Sequence, residues 1–242
     1  MRILKTVAML AAGVLVWPGA VASAQTPCAD LAGTLDGTTC KVHVTNPTYT
    51  IDATFPVDYA DQQTLTDYLT QTRDGFVNVA RMPGSTSLPY QLAIDSERYQ
   101  TGQPPHGTQS VVLKIFQDVG GAQPSTWYKA FDYNLDTRKP ITYDSLFLPG
   151  TKPLDVIYPI VKREFDRQSG PSGASVSSGD GTDPTHYQNF AITDTDLIFY
   201  FSQGELQPST AGGRYPQSAG ATAVHVPRDA VASMLAPLTP PP

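Results

Sequence analysis

PSTWYKAFDYNLDTRKPITYDSLF, residues 124–147, decides how the rest of the chain is read. Trp127, Lys129, Phe131 and Tyr133 alternate with Tyr128, Ala130 and Asp132, the period-two pattern of a strand with two distinct faces. A polar turn follows, then a short Thr142-Tyr143-Asp144-Ser145 element. Upstream, TQSVVLKIFQD (108–118) reads as a longer, more buried strand closed by Gly120-Gly121. The 119–123 connection makes a hairpin, so these two strands are antiparallel neighbours.

Working back toward the N-terminus, Tyr90, Leu92 and Ile94 alternate with polar neighbours in a further strand. Residues 41–45 and 49–55 alternate as two more, separated by Asn46-Pro47. Between them Asp61 opens a helix. Leu65, Tyr68, Leu69, Thr72, Phe76 and Val79 recur at helical spacing, and Pro83-Gly84 ends the pattern. Asp67, Gln71, Asp74 and Asn78 take the other side, so one face packs, most naturally on a sheet.

Toward the C-terminus, Pro153 begins a second helix striped by Leu154, Ile157, Tyr158, Val161 and Phe165. Pro159 falls inside that stripe and predicts an irregular first turn or a later start. Residues 169–182 are Gly/Ser-rich, with Val176 as the sole apolar anchor, and read as a mobile surface loop. Residues 190–192 and 197–201 form a hairpin around Thr193-Asp194-Thr195-Asp196. The LIFYF run is apolar on both sides and belongs centrally in a sheet. A second flexible stretch (209–221), a strand at 222–226 and a short helix over 227–235 complete the pattern. The expected class is α+β: one domain over 25–236, with a mixed, mostly antiparallel sheet on one long helix plus a second helix.

The ends are read separately. Arg2 and Lys5, the apolar run 7–16 and Ala22-Ser23-Ala24 make a signal peptide, 1–24, cleaved after Ala24. A retained signal anchor is the alternative, disfavoured by the short core with Pro18-Gly19 behind it. The Pro-rich 237–242 is a disordered tail. Taking Arg2 and Lys5 from the 16 basic residues leaves 14 against 22 acidic ones, a net of −8. An acidic surface argues against nucleic acid as a partner. No segment after the signal is apolar enough to be a transmembrane helix, so the expected location is secreted or cell-wall associated. Cys28 and Cys40 are the only cysteines. In an exported chain, a pair this close forms a disulfide, whereas a redox or metal site needs CxxC spacing or further ligands.

Chemistry-bearing motifs are sparse. G-x-S-x-G is absent, and the nearest approach, Gly170-Pro171-Ser172-Gly173, lies in the Gly/Ser-rich loop. Four histidines are available as a base. His43 and His225 alternate with valines in strands, His106 sits in a Pro-Pro-His-Gly turn, and His186 stands at the entry to a buried hairpin. His186 and His43, with Ser145 beside Asp144, are the candidates for a hydrolytic site. Trp127, Tyr128 and Tyr133 are the candidate recognition patch, with packing against a helix as the competing reading. Asp180, Asp183, Asp194 and Asp196 lack calcium-loop spacing. No phosphate-loop or dinucleotide fingerprint occurs, so no metal and no cofactor is expected.

Several blocks resemble the secreted immunogenic antigen family of mycobacteria. They are YADQQTLTDYLTQTRDGF, SVVLKIFQDVGG, the 124–147 block, YPIVKREF and DPTHYQNFAITDTDLIFYFSQGEL. The resemblance spans nearly the whole mature chain and includes the Cys28/Cys40 pair. From about Pro153 the chain also resembles the extracellular sensor domain of lysozyme-binding anti-sigma factors. These resemblances imply a β-grasp-like fold, in which a sheet wraps a helix, together with export and action at protein, envelope or host-membrane partners. One branch of the family is described as cell-wall esterases, which makes short-chain ester hydrolysis the alternative to a pure interaction role.

Overall fold

The computed structural model describes residues 27–85, 87–120, 123–169, 175–206 and 221–238. The expected signal peptide (1–24), Gly170-Pro171-Ser172-Gly173, residues 209–220 and residues 239–242 lie outside them. In chain order the elements begin with α1 (Pro27–Asp30), β1 (Gly33–Asp36), β2 (Thr39–Asn46), β3 (Tyr49–Pro56) and α2 (Gln62–Ala80). β4 (Tyr90–Thr101), β5 (Thr108–Asp118), β6 (Ser125–Asn134), β7 (Lys139–Pro140) and α3 (Tyr143–Leu146) follow. The last are α4 (Leu154–Ser169), α5 (Ser178–Gly181), a 3₁₀ turn (Pro184–Tyr187), β8 (Phe190–Ile192), β9 (Asp196–Phe201), β10 (Thr222–Pro227) and α6 (Arg228–Val231).

The strands form two sheets. Seven run in sequence order β1 to β7, antiparallel except for the β3–β4 pair, which α2 connects as a crossover. Three more make a small sheet in the order β10-β9-β8. The class is α+β with a mixed sheet wrapped on a helix, as expected. What the strand pattern did not reveal is that the LIFYF run centres a separate sheet.

Period-two alternation explains the layering. Val111, Leu113, Ile115 and Phe131 point to the α2 side, where they bury Leu65, Leu69, Phe76 and Ala80. Their neighbours Val112, Tyr128 and Ala130 point the other way, onto Ala191, Ile198 and Tyr200 of the small sheet. Leu197, Phe199 and Phe201 face outward again, onto Ile157, Val161 and Phe165 of α4. The order of layers is therefore helix, large sheet, small sheet, helix. LIFYF is apolar on both sides because each side meets a different layer.

Local chemistry sets the ends of several elements. Asp61 holds the N-cap position of α2 without a side-chain cap bond. Gln62 ties the entry instead, accepting from Tyr59 N and donating to Pro56 O, both at 3.1 Å. α4 runs unbroken through Pro159. That proline is exposed, so the carbonyl it leaves without a partner faces water, and the expected irregular start does not arise. The described part of the Gly/Ser-rich loop is anchored, contrary to the sequence reading. Val176 is 2% exposed, its carbonyl accepts from Tyr158 Oη at 3.1 Å, and Tyr187 Oη donates to Gly181 O at 2.7 Å. Pro237 and Leu238 are likewise held, since Asn134 Nδ2 donates to Leu238 O at 2.6 Å. Cys28 and Cys40 form the expected disulfide, fastening α1 to β2.

Candidate functional site on the open sheet face

The small sheet covers β4 to β6 and leaves the outer face of β2 and β3 open. Lys41, His43 and Thr45 of β2 are exposed there, beside Thr50, Asp52 and Thr54 of β3. The register continues the row from His43 through Asp52 and Ala93 to Phe116, giving a ladder across four strands. Asp95 and Lys114 face each other a step further along. The β2–β3 part of this face is polar, and its opposite side is core.

His43 lies at the centre of this face. Its Nδ1 is 2.6 Å from Asp52 Oδ1, and its Nε2 is 3.4 Å from Thr45 Oγ1. A carboxylate only accepts, so Nδ1 donates to it, and in the neutral imidazole Nε2 is the nitrogen left to accept from the Thr45 hydroxyl. Hydroxyl, imidazole and carboxylate thus stand in the order a nucleophile, base and orienting acid require. The setting differs from an enclosed active site, because the His43 side chain is 73% exposed. Sequence analysis singled out His43 but missed both partners. Thr45 is two residues along the same strand and Asp52 directly opposite in the register, so strand alternation plus the tight β2–β3 turn would have found them.

The other candidates are placed apart. His186 lies in the 3₁₀ turn, half-buried beside Asp183, whose carboxylate accepts from Thr185. Ser145 is committed to a capping box on α3. Its hydroxyl accepts from Thr142 N at 2.8 Å and donates to Thr142 O at 3.1 Å, so it serves a helix end, with Asp144 exposed next to it. His106 pairs with Asp136, whose carboxylate the Gly107 N–H, and then His106, hold below its usual range. His225 is exposed on β10. Asp194 sits in the β8–β9 connection and Asp196 opens β9.

The aromatic trio packs against neighbouring layers. Tyr128 is 8% exposed and packs on Tyr200, with ring centroids 5.0 Å apart, inside the sheet–sheet interface. Trp127 Nε1 donates to Tyr68 Oη of α2 at 3.0 Å, and Tyr133 meets Tyr59 edge-on. Each faces a packed layer, which strand alternation alone did not distinguish from a solvent face.

Two polar clusters at the sheet–sheet contact, one buried and one part-buried, carry no sequence signal. Asp132 accepts a short bond from Ser110 Oγ, and Ser110 accepts from Ile192 N of the small sheet at 3.1 Å. Burial pushes the Asp132 carboxyl well above the usual carboxylate range, with the Ser110 bond opposing. Tyr200 Oη donates within a cluster of Glu97 and Tyr99, and burial raises its phenol strongly. Both clusters tie the two sheets together. Among the described residues no group of three His, Cys, Asp or Glu side chains is arranged to hold a metal ion. Nor is any helix among them long and apolar enough to cross a membrane.

Residues 144–229 match the family described as "Protein of unknown function (DUF3298)". Over 224 residues the chain is 59% identical to a protein named Esterase Rv3036c from Mycobacterium tuberculosis, covering 90% of this chain and 97% of that one. It is 45% identical over 217 residues to the immunogenic proteins MPT64 of M. tuberculosis and MPB64 of M. bovis, covering 90% of this chain and 91% of theirs. The chain belongs to this family of mycobacterial immunogenic proteins. Two solved structures of the DUF3298 family are also similar. One, from Bacteroides fragilis, has a TM-score of 0.48 and 12% identity, covering 85% of this chain and 95% of that one. The other, from Pseudomonas aeruginosa, has a TM-score of 0.44 and 12% identity, covering 84% and 97%.

Proposed function

We propose that this chain is exported and works outside the cytoplasm by contact, with the open outer face of β2 and β3 as its binding surface for a protein or envelope partner. The observation that carries this is the exposed His43–Asp52 row on β2 and β3, rigid because its reverse side is core. Antiparallel sheets keep one face in water without cost, so exposure alone is ordinary. A polar face backed by core is nevertheless the place where a partner meets pre-organised side chains at small entropic cost. The test is co-sedimentation of mature protein with mycobacterial cell-wall fragments and with host-type membrane vesicles. A Thr45→Arg/Thr54→Glu variant should lose co-sedimentation while keeping its circular dichroism. Equal sedimentation of variant and parent, or none of either, overturns the reading.

Ester hydrolysis is the second reading. The name of the 59% identical relative and the Thr45–His43–Asp52 line favour it. In such a reaction Thr45 Oγ1 attacks the ester carbonyl, His43 Nε2 takes the proton and then gives it to the leaving alcohol, and water repeats the cycle on the acyl-enzyme. Purified protein on p-nitrophenyl butyrate separates the two readings. Under the contact reading, release stays at background and is the same in His43→Ala, Asp52→Asn and Thr45→Val. Turnover that survives repurification and falls at least about 100-fold in His43→Ala establishes hydrolysis, in line with the usual weight of a general base. His186→Ala is the control and should change nothing in either case.

A further inference from the structure

We infer that the groove between α4 and β10 is a docking site for an extended acidic peptide, which adds to the free edge of β10 as a further strand. Among the described residues β10 is the outer strand of the small sheet, paired on one side with β9 and on the other with no strand. Such an edge presents unpaired N–H and C=O groups and templates strand addition. Beside it α4 turns Ile160, Arg163, Glu164 and Arg167 toward the strand, positions i, i+3, i+4 and i+7 of one helix face. With Ala223, Val224 and His225 of β10 they enclose a groove of about 400 Å³. That is room for side chains of one strand, within the usual range of binding pockets.

Charge selects the occupant. Glu164 is consumed locally: Arg167 donates to both its oxygens, at 2.6 and 2.9 Å, and Gln168 adds a third bond at 2.9 Å. The Arg167 bonds, then the Gln168 bond, hold the Glu164 carboxyl down at about 2, so it stays ionised and paired. Arg163 is exposed and has no carboxylate within ion-pair distance among the described residues. The lining therefore carries one net positive charge on a chain whose total is −6. Gln168 Nε2 donates to Thr222 Oγ1 at 2.8 Å and fixes α4 against the start of β10, so the groove is pre-formed. The chain's own neighbouring segments are poor matches. Residues 207–220 contain Arg214 and no acidic residue, and 239–242 are Thr-Pro-Pro-Pro, with one backbone N–H among the last four residues. An incoming strand with alternating acidic and apolar residues satisfies Arg163 and the apolar Ile160–Val224 floor together.

The test is fluorescence anisotropy with the mature full-length chain and three labelled decapeptides. One alternates Glu and Val, one Lys and Val, and one is the Glu/Val peptide N-methylated on one edge. The Glu/Val peptide should bind, the Lys/Val and N-methylated peptides should bind at least about 10-fold more weakly, and Arg163→Glu should lose a similar factor while Arg163→Lys retains binding. Hydrogen exchange should show new protection in β10. No binding of the Glu/Val peptide overturns the inference, as does an unchanged affinity in Arg163→Glu. Equal binding of the N-methylated peptide also overturns it, and displacement by millimolar hexanoate alone would mark a small-carboxylate site instead. His43→Ala should leave peptide affinity unaltered, so failure here and failure of the open-face reading are distinguishable.

Discussion

Asp132 concentrates the residue-scale physics of this molecule. It is 5% exposed, and its carboxyl is held in the neutral direction by burial. Its partner Ser110 also accepts from Ile192 N, so one hydroxyl joins the carboxyl of one sheet to the backbone of the other. Because the folded-state value is raised, the folded chain keeps a proton that the unfolded chain gives up as pH climbs past the ordinary carboxylate value near 4. The contribution to stability is thus fully present below that pH and is lost as pH rises through the folded value. Asp132→Asn, which cannot ionise and still accepts from Ser110, should flatten this part of the profile. Melting temperatures measured from pH 4 to 8 should fall less steeply in the variant than in the parent. Parallel curves would show that Asp132 is charged in the folded state.

Among the elements, the β4–β5 hairpin carries the tightest steric demand. Gly107 stands at φ +95°, and a Cβ there would run into the Thr101 carbonyl oxygen. The same glycine donates to Asp136 Oδ2 at 3.0 Å and accepts from Leu135 N at 2.9 Å, joining the hairpin to the end of β6. Gly107→Ala should therefore cost about 2 kcal/mol or more, read as a lower urea midpoint, because strain and displaced hydrogen bonds add. No change in midpoint would mean that the turn relaxes freely. Elements of this kind were legible in the sequence where one periodicity dominated. β5, β6, α2 and the β8–β9 hairpin fell where alternation or helical spacing put them. Partners across the register were not legible, since pairing His43 with Asp52 depends on which strands meet. Nor was the cover on the β6 edge. There the N–H groups of Thr126, Tyr128 and Ala130 donate to Gln203 Oε1, Ser202 Oγ and Asn189 Oδ1, polar side chains that look like loop solvation in the sequence.

At the scale of the whole molecule, two cores meet across a narrower seam. The α2 core draws on both ends of the large sheet and is fastened by the disulfide, while the α4 core closes over β8 to β10 and the 3₁₀ turn. Between them lie Val112, Tyr128, Ala130, Ala191, Ile198 and Tyr200, two of them alanines, plus the Ser110 and Asn189 bonds. Small residues let the sheets approach closely but bury little area each, so the seam is where the stack should part first. Ala191 is fully buried there, and Ala191→Leu adds volume that neither sheet can absorb, at a cost of about 1–3 kcal/mol. If the layers open separately, native-state hydrogen exchange of this variant should show lost protection in β8, β9 and α4. The amides of β3 to β5 should then keep theirs, because the disulfide and the α2 core hold that layer without help. Uniform loss across all strands would instead make the stack one cooperative unit, with the seam as strong as either core.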